Sequence, residues 1–192
     1  MLVLKNKRKC FSIPKGTACL NKQLEHLPGE NECFKIFSKG DISSICFINA
    51  IAAKTSIKRL YAATFSIGRK EIQALRMLSK RGRLGQAAFI FGALMGNQKH
   101  QYYEVLESAK TECGWRVNYD RSHAKVYLFD TDIGQLVLET SSNLNENPSN
   151  EQFSLENDKA LFEFSLNSFA QENYKLSNIT LDLHNSDFEN NV

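Results

Sequence analysis

Ser122-His123-Ala124-Lys125-Val126-Tyr127-Leu128-Phe129-Asp130 is followed closely by Ser141, Asn143 and Glu151. The Val, Tyr, Leu and Phe content of residues 125–129 predicts a β-strand, in which alternate side chains share a face. His123 and Lys125 then project from one side, an imidazole nucleophile next to a fixed cation. Leu136-Val137-Leu138-Glu139-Thr140 reads as the next strand. The link between them, Thr131-Asp132-Ile133-Gly134-Gln135, carries the Asp and Gly of a turn, so the two should form a hairpin. That hairpin returns Ser141-Ser142-Asn143 towards the His123 end of the first strand.

Working outward, the chain before this stretch alternates strand and helix signals. Asp41, Ser43 or Ser44 caps a predicted helix through residues 45–53. Residues 58–67 read as a strand ending at Gly68. Residues 70–80 follow as a helix, with Ile72, Leu75, Met77 and Leu78 at helical spacing and Gly82 closing it. A second strand over 86–94, a helix over 98–113 and a third strand over 115–119 complete the series. Such alternation predicts parallel neighbours in one sheet with helices on its faces. The hairpin adds antiparallel strands, residues 159–164 are expected to add another, and 165–174 to form a closing helix. The fold class expected is therefore α/β, a mixed sheet flanked by helices. Within it, 1–40 is an irregular segment packed on or extending the domain, with turn signals at Pro14-Lys15-Gly16 and Pro28-Gly29-Glu30-Asn31. Residues 41–176 form the domain proper, and 177–192 a polar, Asn-rich tail. The sequence shows no internal repeat.

A lone His-x-Lys on a strand is common by chance. Here His123, Lys125 and Asp130 form His-x-Lys-x-x-x-x-Asp, with Ser141, Asn143 and Glu151 following in order. This arrangement resembles one catalytic half of the phospholipase D superfamily. Ser142-Asn143-Leu144-Asn145, with Asn147-Pro148 and Glu151-Gln152, is similar to the stretch after the motif in bacterial and phage-type, nuclease-like members. The resemblance is strongest over 120–165 and rests on element order over 41–119. One departure is Thr140, which stands where members usually carry Gly.

The resemblance implies a phosphodiesterase of the sandwich architecture already expected. Phosphodiester transfer by this route needs a nucleophile and a separate general acid. Members with two motifs supply both, whereas His26, His100 and His184 lack a Lys two residues on. A two-fold homodimer juxtaposing two copies of His123 is the economical answer. Two close imidazoles resist double protonation, which suits an acid and base pair. Lys125, Asn143 and Ser141 would stabilise charge on the non-bridging oxygens. Glu151, or less directly Glu156, would orient the imidazole, and Asp130 would support the strand. No metal or cofactor is expected.

Charge is distributed unevenly. Residues 151–192 hold eight acids against Lys159 and Lys175, a net of −6, so the total of +3 leaves +9 for residues 1–150. Lys5, Lys7, Arg8 and Lys9 form one basic cluster and Arg76, Lys80, Arg81 and Arg83 another, either a solvated face or a phosphate-binding surface. Nucleic acid is thus the first substrate expected, with Tyr102, Tyr103 and Trp115 as stacking candidates that are each better suited to packing on the core. A phospholipid or small phosphodiester would demand an apolar mouth near His123, and a binding module without turnover is the third reading. No apolar run reaches 18 residues, and the N-terminal charges follow the apolar residues, the reverse of a secretory signal. A cytoplasmic protein is expected. Cys10, Cys19, Cys33, Cys46 and Cys113 should then be reduced, with a zinc site from Cys10, Cys19, Cys33 and His26 a remote alternative.

Overall fold

The computed structural model describes residues 8–30, 32–146 and 148–171. Lys5, Lys7 and the 177–192 tail lie outside the described residues. One eight-stranded mixed sheet organises the rest, in the order β1-β2-β8-β7-β6-β3-β4-β5. The strands are β1 (Arg8–Ser12), β2 (Glu32–Lys39), β3 (Ile57–Thr64), β4 (Leu84–Gly92), β5 (Arg116–Asp120), β6 (Val126–Thr131), β7 (Gly134–Thr140) and β8 (Asn150–Asn157). β3, β4 and β5 run parallel, as do β1 and β2, while β6, β7 and β8 pair antiparallel with their neighbours. The architecture is α/β, with helices on both faces.

Helices α1 (Thr17–Gln23), α2 (Ser44–Lys54), α3 (Arg69–Lys80) and α4 (Tyr103–Cys113) contribute to one core, and α5 (Lys159–Gln171) to another. In the larger core, Phe47 and Ile51 of α2, Ile72 and Leu75 of α3 and Leu106 of α4 meet Leu60, Phe89, Phe129 and Phe153 of the sheet. Trp115 is buried here and donates its indole N–H to Ser79 Oγ at 3.2 Å, and Tyr102 packs against the same cluster. Trp115 is thus committed to the core, and Tyr102 is partly buried against it. In the smaller core, Phe162, Leu166 and Phe169 cover Tyr61, Ala63, Ile90, Leu128 and Val137.

Three expectations change. Residues 159–164 are helical, not a strand, because Phe162, Leu166 and Phe169 bury at i, i+4 and i+7. Asp158 Oδ1 also accepts the Leu161 N–H at 2.9 Å, an N-cap contact. The additional strand is β8, with Glu151, Phe153 and Leu155 on the face of the larger core. The helix expected over 98–113 begins at Tyr103, after a short 3-10 turn at Ala93–Gly96. Residues before 40 contain two regular strands and a helix, β1, α1 and β2, which extend the same sheet.

Because β6 and β8 run against the others, the C-terminal ends of β1, β2, β3, β4, β5 and β7 share one edge of the sheet with the N-terminal ends of β6 and β8. Open α/β sheets place ligands at the carboxyl edge of their parallel strands, and His123, Lys125, Ser141, Asn143 and Glu151 stand there.

Candidate active site

The imidazole of His123 is exposed, in the short link between β5 and β6. It is stacked on the ring of Phe65, just past the end of β3, with centroids 4.5 Å apart and planes at 21°. Phe65 is itself fixed through its backbone. Its N–H donates to Asn143 Oδ1 at 3.2 Å, and its carbonyl accepts the Gly92 N–H at 3.0 Å. A Cβ at residue 92 would lie 2.6 Å from that carbonyl oxygen and 2.7 Å from the Phe65 ring, so glycine there lets the strand end approach. Lys125 donates from Nζ to the His123 carbonyl at 2.7 Å, which places the ammonium within the motif loop.

The second segment is stitched to β3. Asn143 Oδ1 also accepts from Thr64 Oγ1 at 3.3 Å, Leu144 N–H donates to the Ser66 carbonyl at 3.2 Å, and Gly68 N–H to the Leu144 carbonyl at 2.7 Å. Thr140, in the usual Gly place, makes its turn with its own side chain: Oγ1 accepts the Ser142 N–H at 2.9 Å. Among the described non-glycine residues only Asp41 has positive φ, so Thr140 carries no left-handed backbone strain.

Glu151, 5% exposed, accepts the hydroxyl of Ser141, whose Oγ accepts the Gln152 N–H at 3.1 Å. Below them, Tyr127 and Ser44 both donate to the Ser142 carbonyl, at 3.3 and 2.8 Å. Complete burial pushes the Tyr127 phenol up to about 12, with a smaller contribution from the Glu151 charge. The phenol therefore stays a neutral donor under the 141–143 turn. Phe65, Thr64 and Tyr127 were not among the residues singled out by sequence, and Ser44 was singled out only as a candidate helix cap. Tyr127, a polar ring inside an otherwise apolar strand, was the one with a local signal.

Asp130 is far from this edge, at the other end of β6. Its Oδ2 accepts from Nε and Nη2 of Arg59 at 2.8 and 2.6 Å, across the β3–β6 pair. The cluster Arg76, Lys80, Arg81 and Arg83 also sits at the opposite edge, because α3 starts at the carboxyl end of β3 and runs back. Arg76 and Lys80 pair with Glu112, and the Arg83 guanidinium donates to the Ala52 carbonyl at the end of α2. Exposed cations at the His123 edge include Lys39, Arg69 and Arg121, with Lys70 beside Arg69 paired to Glu146. All five cysteines are free thiols, and among the described residues no three His, Cys, Asp or Glu side chains gather as metal ligands. Among those residues, too, no helix is long and apolar enough to cross a membrane.

The chain is similar to polyphosphate kinase from Porphyromonas gingivalis, with a TM-score of 0.60 over 78% of this chain and 28% of that one, at 14% identity. A looser likeness, TM-score 0.49, is to phosphatidylserine synthase of Haemophilus influenzae Rd KW20, over 72% of this chain and 38% of that one at 17% identity. At 14% identity the polyphosphate kinase likeness speaks to fold alone, an α/β architecture built on a mixed sheet. In sequence, 55 residues are 49% identical to a tRNA (guanine-N(7)-)-methyltransferase of Clostridioides difficile (strain 630), 29% of this chain and 25% of that protein. A further 34-residue match, 56% identical, is to the protein so named in Halalkalibacterium halodurans (strain ATCC BAA-125 / DSM 18197 / FERM 7344 / JCM 9153 / C-125), 18% of this chain and 16% of that protein. The chain therefore spans a quarter or less of these curated relatives. No protein-family model matches it.

Proposed function

We propose that this chain is a metal-independent phosphodiesterase that cleaves nucleic acid through a phosphohistidine intermediate, with two copies of His123 meeting in a homodimer. The observation that carries this reading is the exposed His123 imidazole, held flat on Phe65 at the carboxyl edge of the mixed sheet, with Lys125 in the same loop.

In the first step an imidazole nitrogen of one His123 attacks phosphorus. The P–N bond forms, the P–O bond to the leaving oxygen breaks, and the partner copy's protonated imidazole gives that oxygen its proton. In the second step the now neutral imidazole takes a proton from water, the resulting hydroxide attacks phosphorus, and the P–N bond breaks. Lys125 and the amide of Asn143 stabilise charge on the non-bridging oxygens. Glu151 and Ser141 form the acid-hydroxyl pair beside them, and the buried Tyr127 and Ser44 hold the turn on which both depend.

Lys39, Arg69 and Arg121 favour nucleic acid, since exposed cations at the reacting edge attract a phosphate backbone. One observation favours a phospholipid as the second reading: an apolar groove containing Phe11, Ile13 and Phe37 reaches Thr140 and Gln152, next to Ser141 and Glu151.

The test is cleavage of single- and double-stranded DNA, RNA and tRNA in excess EDTA by wild type and His123→Ala. Cleavage by the wild type and its loss in the variant, with acid-labile phosphate trapped on the wild type, is the expected result. Salt-sensitive binding without turnover would replace this reading with a binding module. Turnover of phosphatidylcholine alone would establish the second.

A further inference from the structure

The sheet is covered unevenly. α5 caps β3, β4, β6 and β7 on one face through Phe162, Leu166 and Phe169. The four other helices pack on the opposite face, so over β1, β2 and β8 no described helix covers the α5 side. A groove of about 760 Å³ runs there, lined among others by Phe11, Ile13, Phe37, Thr140 and Gln152. Phe11, Ile13 and Phe37 are 77%, 59% and 47% exposed. Contiguous apolar surface of this kind marks a contact site more often than a solvated face. Lys35, on the groove floor, is already satisfied within the chain: it donates to Ser154 Oγ at 2.6 Å and lies 3.7 Å from Glu156. What the groove lacks is apolar contact.

We infer that residues 179–183 of the same chain fill this groove, strapped across from the end of α5. Three observations select that occupant. The first is pattern. Ile179-Thr180-Leu181-Asp182-Leu183 alternates apolar and polar residues, with Asn178 before it and Asn185-Ser186 after, as a strand that buries one face does. Its three apolar side chains answer Phe11, Ile13 and Phe37.

The second is reach. α5 leaves β8 at the edge opposite His123 and belongs to a cluster that takes in Val126 and Ala124 at the His123 edge. Its thirteen residues cover about 20 Å, enough to return the chain to that edge. Thr140 and Gln152, which line the groove, adjoin Ser141 and Glu151 there. From β7, under α5, to β2 is two strand spacings, about 10 Å. Residues 172–178 span up to about 25 Å when extended, so the linker is long enough with slack. A segment tethered this closely meets the groove at millimolar effective concentration, ahead of a free partner. The third is charge. Residues 172–192 hold Glu172, Asp182, Asp187 and Glu189 against Lys175, a net of −3. Lys9 of β1 and Lys39 of β2, both exposed, share the face of Phe11 and Phe37 by strand alternation. An acidic strap thus meets a groove flanked by cations, and its apolar side closes the groove to an acyl chain.

The test is photo-crosslinking of the full chain with p-benzoylphenylalanine in place of Leu181, in an equal mixture of isotope-labelled and unlabelled protein. The expected result is a crosslink within one copy from residue 181 to β1, β2 or β8 around Phe11 and Phe37. Phe37→Glu, checked for native circular dichroism, should reduce it at least about tenfold. Leu181→Asp, which carries no bulky label, should raise the fluorescence of anilinonaphthalene sulfonate on the uncovered groove, and Leu181→Met should not. That rise upholds the inference even where the benzophenone itself displaces the segment and yields no crosslink. Crosslinks only between labelled and unlabelled copies, or only to other surfaces, overturn it. So does no crosslink with unchanged dye fluorescence in Leu181→Asp, and Phe37-dependent binding to phosphatidylcholine vesicles in that case would give the groove to lipid.

Discussion

Phe65 gives His123 a floor. An imidazole on an exposed loop samples many rotamers, and a planar ring 4.5 Å beneath it removes most of them while leaving the nitrogens at the ring's rim open to a phosphate. Such aromatic pairs contribute about 0.5–1.5 kcal/mol beyond their buried area, which corresponds to roughly two- to twelve-fold in rate. Phe65→Leu is therefore expected to lower kcat about fivefold with KM changed less than about twofold. Phe65→Tyr should restore kcat, and steady-state kinetics on an oligonucleotide would show both. A fall in KM-dependent binding without a change in kcat would mean that the ring serves substrate contact instead. His123, Lys125 and Asn143 were legible in the sequence because their chemistry and spacing are local. Phe65 was not, since nothing near Thr64-Phe65-Ser66 announces that a loop more than fifty residues later will fold over it.

At the level of elements, the reading succeeded where apolar periodicity was unmixed and failed where acids interrupted it. β3, α3, β4 and the β6–β7 hairpin stand within a few residues of the positions expected. β8 was hidden because Glu151 and Glu156 bracket only Phe153 and Leu155 as apolar residues. Leu161-Phe162-Glu163-Phe164 looked like alternation until Leu166 and Phe169 completed a helical row. Asp130, read as support rather than chemistry, can be tested within its own strand pair. Its bond to Arg59 is partly exposed, with side chains 34% and 16% accessible, so solvent discounts the pairing to about 1 kcal/mol. Asp130→Asn should lower urea stability by about that amount and leave kcat within about twofold of wild type. A tenfold loss of kcat would move Asp130 into the site.

For the whole molecule, a buried acid outside the candidate site, Glu71, ties stability to pH. It is 4% exposed at the start of α3, and burial raises its carboxyl above the ordinary range, a nearby Glu146 adding to the effect. A carboxyl raised in the folded state contributes stability that is fully present below its unfolded value, about 4.3. That contribution is lost as pH climbs through the raised folded value. Glu71→Gln, which keeps the neutral form, should therefore unfold at a higher temperature than wild type at pH 7. The gap should close as the buffer is taken down towards pH 4, as followed by thermal melts across that range. A gap that is constant with pH would show that Glu71 is charged at little cost in the native state. The overall α/β class was open to sequence reading because it follows from element order. The covering of the sheet was not, because it depends on which face α5 chooses.

The sheet order also sets a timetable for synthesis. β2 finds β1 at once, but its other neighbour is β8, and the Cys33–Ser154 contact between them spans 121 residues. At translation rates of about 5–20 residues per second, β2 emerges from the ribosome with one edge unpaired for roughly ten seconds. An unpaired edge invites pairing with a neighbouring nascent chain. Codon usage or chaperone supply that hastens or shields the interval before Asn150 would govern how much of this protein reaches its folded form.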